Sequence, residues 1–292
     1  MKASVIIPVY NRLRLLKSCL NCILNQTIDD YEVVIVDDCS TDGTSTYIKG
    51  INDERLKYCR TENRCGPYRA RNLGIKRASG ELIIFIDSDV MVFPDFVEDH
   101  VKTHIKSDSL VLQGMVRHVE SFDFVDFNSF FIPNALCIGT FITQNVSVRK
   151  KWLEKAGRFD DFGPLMGYKD VDMGFRLRDA GLRWKHGFIK CRAFHIDGRV
   201  TAKSIEGMFR KRKEQGASAY YFVRKWGRRG ERYARTGRTL FLSRIFLTDK
   251  WFDRKSIKEI MIRSKNSYGF LWSVLKAIGK IHFRKKGIEE EI

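Results

Sequence analysis

Residues 82–90 read LIIFIDSDV, an apolar run that stops on two aspartates separated by one serine. Strands buried on both faces of a parallel sheet read as continuous apolar runs, so Leu82 to Ile86 is expected to be a central strand that leaves the sheet at Asp87. In open α/β sheets that carboxyl edge is where ligands bind. The pair Asp87 and Asp89 therefore reads either as a clamp for a cation and a nucleotide or as a solvated turn, and Asp-Ser-Asp alone does not choose between them.

Working outward, the same alternation recurs. Ala3 to Ile7 is a β-branched strand that Pro8 is expected to stop, and Leu13, Leu16, Leu20, Ile23 and Leu24 follow at helical spacing. Tyr31 to Val36 is a second apolar strand, which completes a βαβ unit and ends in another pair, Asp37 and Asp38. The following CSTDGT, residues 39–44, carries the helix-capping types Ser40, Thr41 and Asp42. Leu56 to Arg60 reads as a short strand, Tyr68 to Ala78 as a helix closed by Gly80, and Glu81 to Ile86 as the next strand. Right-handed crossovers would place both acidic pairs on one rim of one sheet.

At 292 residues and 43% hydrophobic content the chain can bury one large core or two smaller ones, and its composition does not indicate disorder. The net charge of +18 is unevenly spread. Residues 1–198 carry 28 Lys+Arg against 26 Asp+Glu, whereas residues 199–292 carry 25 against 9, so the basicity belongs to the C-terminal third. No apolar run reaches the eighteen or so residues of a spanning helix, and the chain enters a strand within a few residues of its start, so a cytoplasmic protein is expected. Seven scattered cysteines include one C-x-x-C, Cys19 and Cys22, on a helical pattern without a second pair. Core thiols fit that arrangement better than zinc or a redox couple.

Five ordered segments carry a resemblance to a known family. VIIPVYNR at 5–12, VVIVDDCSTDGT at 33–44, NRCGPYRARNLGIKRASGELIIFIDSDV at 63–90, NVSVRKKWLEKAGRFDD at 145–161 and GYKDVDMGFRLRDAGLRW at 167–184 are similar, in order and spacing, to the signature segments of family 2 glycosyltransferases of the GT-A fold. The resemblance covers roughly the first two hundred residues. It implies an α/β fold with a Rossmann-like, mostly parallel central sheet flanked by helices. Residues 1–200 would form the catalytic domain, with 1–97 a nucleotide-binding half and 98–200 an acceptor-side half, and residues 201–292 a basic, mostly helical extension. It also implies a nucleotide-sugar donor, usually a UDP-sugar, whose diphosphate is bridged by Mn²⁺ or Mg²⁺ to the Asp-x-Asp motif.

The implied chemistry asks for these residue types. Breaking a sugar–phosphate bond requires the leaving diphosphate to be neutralised, which a carboxylate-held divalent ion does without a proton donor. By resemblance Asp89 is the metal ligand, Asp87 and Ser88 contact the nucleotide, and Asp38 accepts a hydrogen bond from the base, with Pro8, Val9 and Tyr10 walling it. Arg71, in the ARN triplet, is a candidate diphosphate or base contact. Inversion at the anomeric carbon needs a base on the face opposite the leaving group, and Asp170 in GYKDVD aligns with it. Lys169 stands where the family has a glutamate, and its charge is expected to depress the pKa of Asp170. Asp172 reads as a first-turn residue serving the helix dipole. His195 in AFHID is a candidate for closing the metal site, whereas His100, His104, His118, His186 and His282 have no comparable context.

Runs such as RKRK at 210–213 and GRRGERYARTGR at 227–238 also fit a nucleotide-fold protein whose basic arm binds nucleic acid. Zinc, helix-turn-helix and aromatic RNA-binding patterns are absent, so no nucleic-acid partner is expected. A nucleotidyltransferase is the rival enzyme, but PVYNR stands where its Gly-rich phosphate loop would follow the first strand. Leu271, Val274, Leu275, Ile278 and Ile281 line one helical face with basic residues flanking it. That face is expected either to lie on an anionic membrane or to pack on the catalytic domain. The reading that joins these expectations is an inverting, metal-dependent glycosyltransferase, peripheral on the cytoplasmic face of the membrane. It would act on a saccharide or lipid-linked saccharide acceptor in cell-surface polysaccharide or lipopolysaccharide synthesis.

Overall fold

The computed structural model describes residues 1–128, 141–162, 167–186, 190–198, 202–234, 236, 281–286 and 288–291, with the side chains of 186 and 202–206 left out. Its elements run β1 (Ala3–Val9), α1 (Leu13–Leu24), β2 (Tyr31–Asp37), α2 (Thr44–Lys49), β3 (Leu56–Arg60), α3 (Pro67–Arg77), β4 (Leu82–Ile86), β5 (Val90–Val92), α4 (Phe96–Ile105), β6 (Leu110–Gln113), β7 (Met115–Val119), β8 (Asn145–Arg149), α5 (Lys150–Lys155), α6 (Lys169–Asp179), β9 (Arg183–His186), β10 (Arg192–Ile196) and α7 (Ala202–Ala234). They form two compact units, Met1–Asp161 with Asp170–Gly198, and Phe162–Lys169 with Arg199–Ile292.

The first unit is built on a seven-stranded sheet of order β3-β2-β1-β4-β8-β6-β9, in which β8 alone runs against its neighbours. The expected mostly parallel sheet is therefore present, and its central strands are buried along their whole length. Alternate residues serve two cores. Val5, Ile7, Val33, Ile35, Leu82, Ile84 and Ile86 pack with Leu16, Leu20 and Ile23 of α1. Ile6, Val34, Val36, Ile83 and Phe85 pack with Ala70 and Ile75 of α3 and with Met173 and Leu177 of α6. Two covered faces leave no alternating polar register, which is why these strands read as nearly continuous apolar runs, broken near their starts by Ser4 and Glu32, which bond one another.

Pro8 does not end β1 as expected. The strand continues to Val9 with Pro8 opposite Val36, whereas pairing with β4 stops at Ile6 opposite Phe85. Beyond Ile6 the strand is flanked on one side only, so the missing Pro8 N–H is tolerated there. Helix α3 lies close on the sheet at Gly74, where a β-carbon would meet Ile6 Cγ2 at 2.5 Å and Val36 Cγ2 at 3.2 Å. That close approach seats Arg71, one turn earlier, against the end of β4.

A second sheet of order β5-β10-β7 stands at the rim of the first. Strand β10 runs antiparallel to β5 with His195 opposite Val90, and parallel to β7 with His195 opposite His118.

The second unit has a core of its own. Helix α7 breaks its helical dihedrals at Gly227. Residues 281–286 are helical, and Phe283 stacks on Phe209 with ring centroids 4.5 Å apart. Arg284 donates to the Tyr168 hydroxyl at 2.6 Å, and Tyr168 stacks on Phe222. A β-carbon on Gly216 would meet the Arg284 carbonyl oxygen, so the two helices touch backbone to backbone. The apolar face expected from Leu271 to Ile281 lies outside the described residues except for Ile281. No described helix is long and apolar enough to cross a membrane.

Candidate active site

The carboxyl ends of β1, β2 and β4 meet on one rim, and the loops that leave them are tied to one another. Asn11, at a left-handed φ of 49°, receives the Thr41 N–H on its Oδ1 at 2.7 Å and donates its own N–H to Ser40 Oγ at 3.0 Å. Asp42 caps α1 by accepting the Leu13 N–H at 2.8 Å. Left-handed non-glycine residues are uncommon, and Cys39, at φ 64°, is a second one in the same pair of loops.

The two acidic pairs are both on this rim, but their oxygens are used differently. Asp37 accepts the Ser40 N–H at 2.7 Å, the Tyr58 hydroxyl at 2.7 Å and Arg60 at 3.4 Å. Asp38 accepts the N–H groups of Cys65 at 2.7 Å and Gly66 at 2.9 Å, and Thr61 Oγ1 at 3.1 Å. A base contact at Asp38 would have to use the lone pairs that remain. Of the three residues expected to wall the base, Pro8 and Val9 are buried, Val9 within the core. Tyr10 is exposed, and the guanidinium of Arg64 lies 4.3 Å from its ring centroid.

Asp87 receives Arg71 at 2.5 Å, and Ser88 between the two aspartates is buried. The Arg71 side chain is buried as well, and its Nε has no hydrogen-bond partner. Asp89 is buried, with Arg12 paired to its Oδ2. Its Oδ1 is buried without a hydrogen bond, and His195 Nε2 stands 3.3 Å away. The small sheet makes this meeting. Opposition of His195 to Val90, and the Ile196 N–H on the Asp89 carbonyl at 2.9 Å, bring β10 against Asp89 in the turn between β4 and β5. On its other ring nitrogen His195 bonds Asp197 at 2.8 Å, and His118 bonds the same oxygen at 3.0 Å. Burial lowers the His195 pKa, but the hydrogen bond to Asp197 and the charges of Asp89 and Asp87 outweigh it and the net shift is upward.

These residues fit a divalent cation. Ligand atoms of Asp87, Asp89 and His195 all lie within 4.8 Å of one another. Cis ligands of an octahedral ion with bonds of about 2.1 Å stand about 3 Å apart, close to the Asp89 Oδ1 to His195 Nε2 spacing. A buried carboxylate oxygen without a partner is costly unless something binds it, and carboxylates with one imidazole suit Mn²⁺ or Mg²⁺.

Asp170 opens α6, half-buried, with Val171 donating its N–H to Oδ1 at 2.8 Å. Burial pushes its pKa up to about 6, the charge of Arg71 pulls it down, and that of Asp87 adds to the rise. The expected depression by Lys169 is thus reversed, because desolvation of the carboxylate is the larger effect. Asp172 does not act through the helix dipole alone. It is fully buried and pairs with Arg176 at 2.9 Å, and Arg176 also holds the carbonyls of Ala156 and Arg158.

Three residues at the site were not singled out from sequence. Arg12 directly follows the first strand in PVYNR, and that rim position is a usable signal. His118 and Asp197 have no local signal, since only the parallel pairing of β7 with β10 brings them to His195.

Residues 4–166 match the family model "Glycosyl transferase family 2". An uncharacterized glycosyltransferase of Bacillus subtilis, YfnE, is 28% identical over 244 residues, 63% of this chain and 62% of that protein. The chain thus spans less than two thirds of that relative. Among solved structures, the mannosyltransferase PcManGT from Pyrobaculum calidifontis, in complex with GDP-Man and Mn²⁺, aligns with 99% of this chain and 86% of its own at a TM-score of 0.66 and 17% identity. S. aureus TarS 1–349 in complex with UDP-GlcNAc aligns with 99% and 91% at 0.59 and 20%. At these identities the structures show the shared fold, and that fold is GT-A. From the ordered motifs, the sheet that carries them and the family match over more than half its length, the chain belongs to glycosyltransferase family 2.

Proposed function

We propose that this chain transfers a glycosyl unit, with inversion, from a UDP-sugar to a hydroxyl of a saccharide or lipid-linked saccharide, using Mn²⁺ or Mg²⁺ held by Asp89 and His195 with Asp87 beside them. The observation that carries the reading is the buried Asp89 Oδ1, without a hydrogen bond and facing His195 Nε2, on the rim where Asp170 also feels the charges of Arg71 and Asp87. When bound, the ion would neutralise the leaving diphosphate. Asp170, with a pKa near 6, is ionised at neutral pH yet basic enough to accept a proton. It would take the hydrogen of the acceptor hydroxyl as that oxygen bonds the anomeric carbon and the bond to the phosphate oxygen breaks. Arg12 and Arg71, both on this rim, would receive the charge that develops on the diphosphate. Tyr10 would cover one face of the base, and Asp38 would meet its edge.

The UDP preference and a cell-surface polysaccharide acceptor rest on the resemblance of the motifs, and PcManGT with GDP-Man and TarS with UDP-GlcNAc leave the base to be tested. The test is to incubate the purified protein with Mn²⁺ and a panel of UDP- and GDP-sugars. Release of the nucleotide that stops with EDTA, and a product anomer opposite to that of the donor by NMR, is the expected result. Metal-independent release with retention would overturn it.

We extend the proposal to an anionic membrane surface on the cytoplasmic side as the place of action. Exposed Arg210, Lys211, Arg224, Lys225, Arg228 and Arg232 on α7 support this, as does the basic excess of residues 199–292. Flotation with anionic but not neutral vesicles, weakened by salt, is expected.

A further inference from the structure

The proposed reaction leaves Asp197 without a role, yet the second sheet places it with care. Its N–H bonds the Val119 carbonyl at 2.9 Å, which fixes the end of β10 against β7. Its Oδ1 is 2.8 Å from His195 Nδ1 and 3.0 Å from His118 Nδ1, and the two imidazole rings lie 4.8 Å apart. An ionised carboxylate only accepts, so both Nδ1 atoms carry hydrogen. A neutral imidazole with its hydrogen on Nδ1 keeps its lone pair on Nε2, and in His195 that is the atom facing Asp89 Oδ1, which has no hydrogen bond.

We propose that Asp197 is the positioning residue of the metal centre, holding His195 in the Nδ1–H tautomer so that Nε2 is presented to the cation, with His118 as the second donor that steadies Asp197. This rests on the metal reading above. The opposite tautomer would be self-blocking, because its Nε2–H would donate to Asp89 Oδ1 and tie together the two atoms meant for the ion. His118, His195 and Asp197 also bring ligand atoms within 4.8 Å of one another. Separations of 2.8 and 3.0 Å from one shared oxygen are N–H···O hydrogen-bond lengths, and a cation among these three groups would have to displace both of those bonds.

The test uses the full chain with UDP and Mn²⁺, reading Mn²⁺ affinity by calorimetry, and the metal-free protein, reading the His195 tautomer by ¹⁵N NMR. The Asp197 side chain is half exposed, so its removal should leave the fold intact. Asp197→Ala should weaken Mn²⁺ by about 10- to 100-fold and move His195 toward the Nε2–H form. Asp197→Asn keeps an accepting oxygen and should restore most of the affinity and the parent tautomer. His118→Ala should fall between parent and Asp197→Ala. Parent-like affinity in Asp197→Ala overturns the proposal alone, as does an Asn variant as weak as the Ala one. Failure of the parent to bind Mn²⁺ overturns the metal reading and this inference with it. If Asp197→Ala does not fold, the Asn and His118→Ala variants decide, and a parent-like affinity and tautomer in His118→Ala overturns the proposal.

Discussion

Two aspartate pairs end parallel strands of the same sheet, and they differ in what their oxygens already hold. Asp37 and Asp38 are tied into the fold from inside, by backbone N–H groups, a tyrosine hydroxyl and an arginine. Asp87 and Asp89 meet cationic side chains, and one buried oxygen of Asp89 has no hydrogen bond and faces His195 Nε2 at 3.3 Å. A carboxylate whose lone pairs are taken by backbone builds a loop, whereas one left open in a buried place is ready for something from outside. Position at a strand end is therefore shared by both pairs, and availability is what separates them.

The largest expected effect tests Asp170, which belongs to neither pair. Asp170→Asn should lower transfer by at least about 10²-fold while donor binding persists, and undiminished turnover would remove Asp170 from the role of base.

Next is the open pair. Asp89→Asn should weaken Mn²⁺-dependent UDP binding by about 10- to 100-fold with the fold retained, although the ion pairs to Arg12 and His195 lose their charge. A large drop in melting temperature with metal binding intact would place Asp89 with the structural pair and erase the contrast.

The pH profile comes third. Asp170 must be ionised to act, and its folded pKa is raised to about 6. Transfer should be flat above that value and fall about tenfold per pH unit well below it, as one protonation requires. A profile still flat at pH 4.5, measured on protein that remains folded there, would break the assignment.

The smallest effect on metal binding belongs to the pair tied into the fold. Asp38→Ala strips the Cys65 and Gly66 N–H groups of their acceptor at a cost of roughly 3 kcal/mol, on the order of 10 °C for a domain of this size. Mn²⁺ affinity measured below the transition should stay near that of the parent. The reverse pattern, a stable protein with lost metal binding, would mean that the two pairs are functionally alike.

The α/β alternation, the strand ends at Asp37 and Asp87, and the helix at 67–77 were legible in the sequence because they follow from local properties. Apolar runs, helical spacing and capping types act over a few residues, so the chain states them directly. The ordered motifs also led to the glycosyltransferase family. Pro8 was misread because local propensity says that proline ends a strand, whereas tolerance depends on which side is unpaired. The Asp170 pKa was misjudged for a similar reason, since the neighbouring Lys169 is visible in sequence and burial is not. Which carboxylate keeps a free oxygen depends on the Cys65 and Gly66 N–H groups reaching Asp38 from 27 and 28 residues away. The meeting of Asp89, His195, Asp197 and His118 depends on the register of three strands far apart in the chain. Sequence alone determined the layers and the rim, because these arise from local patterning. Tertiary structure alone decided which acids are spent on the fold and which stay open, because that turns on long-range hydrogen bonds and on desolvation.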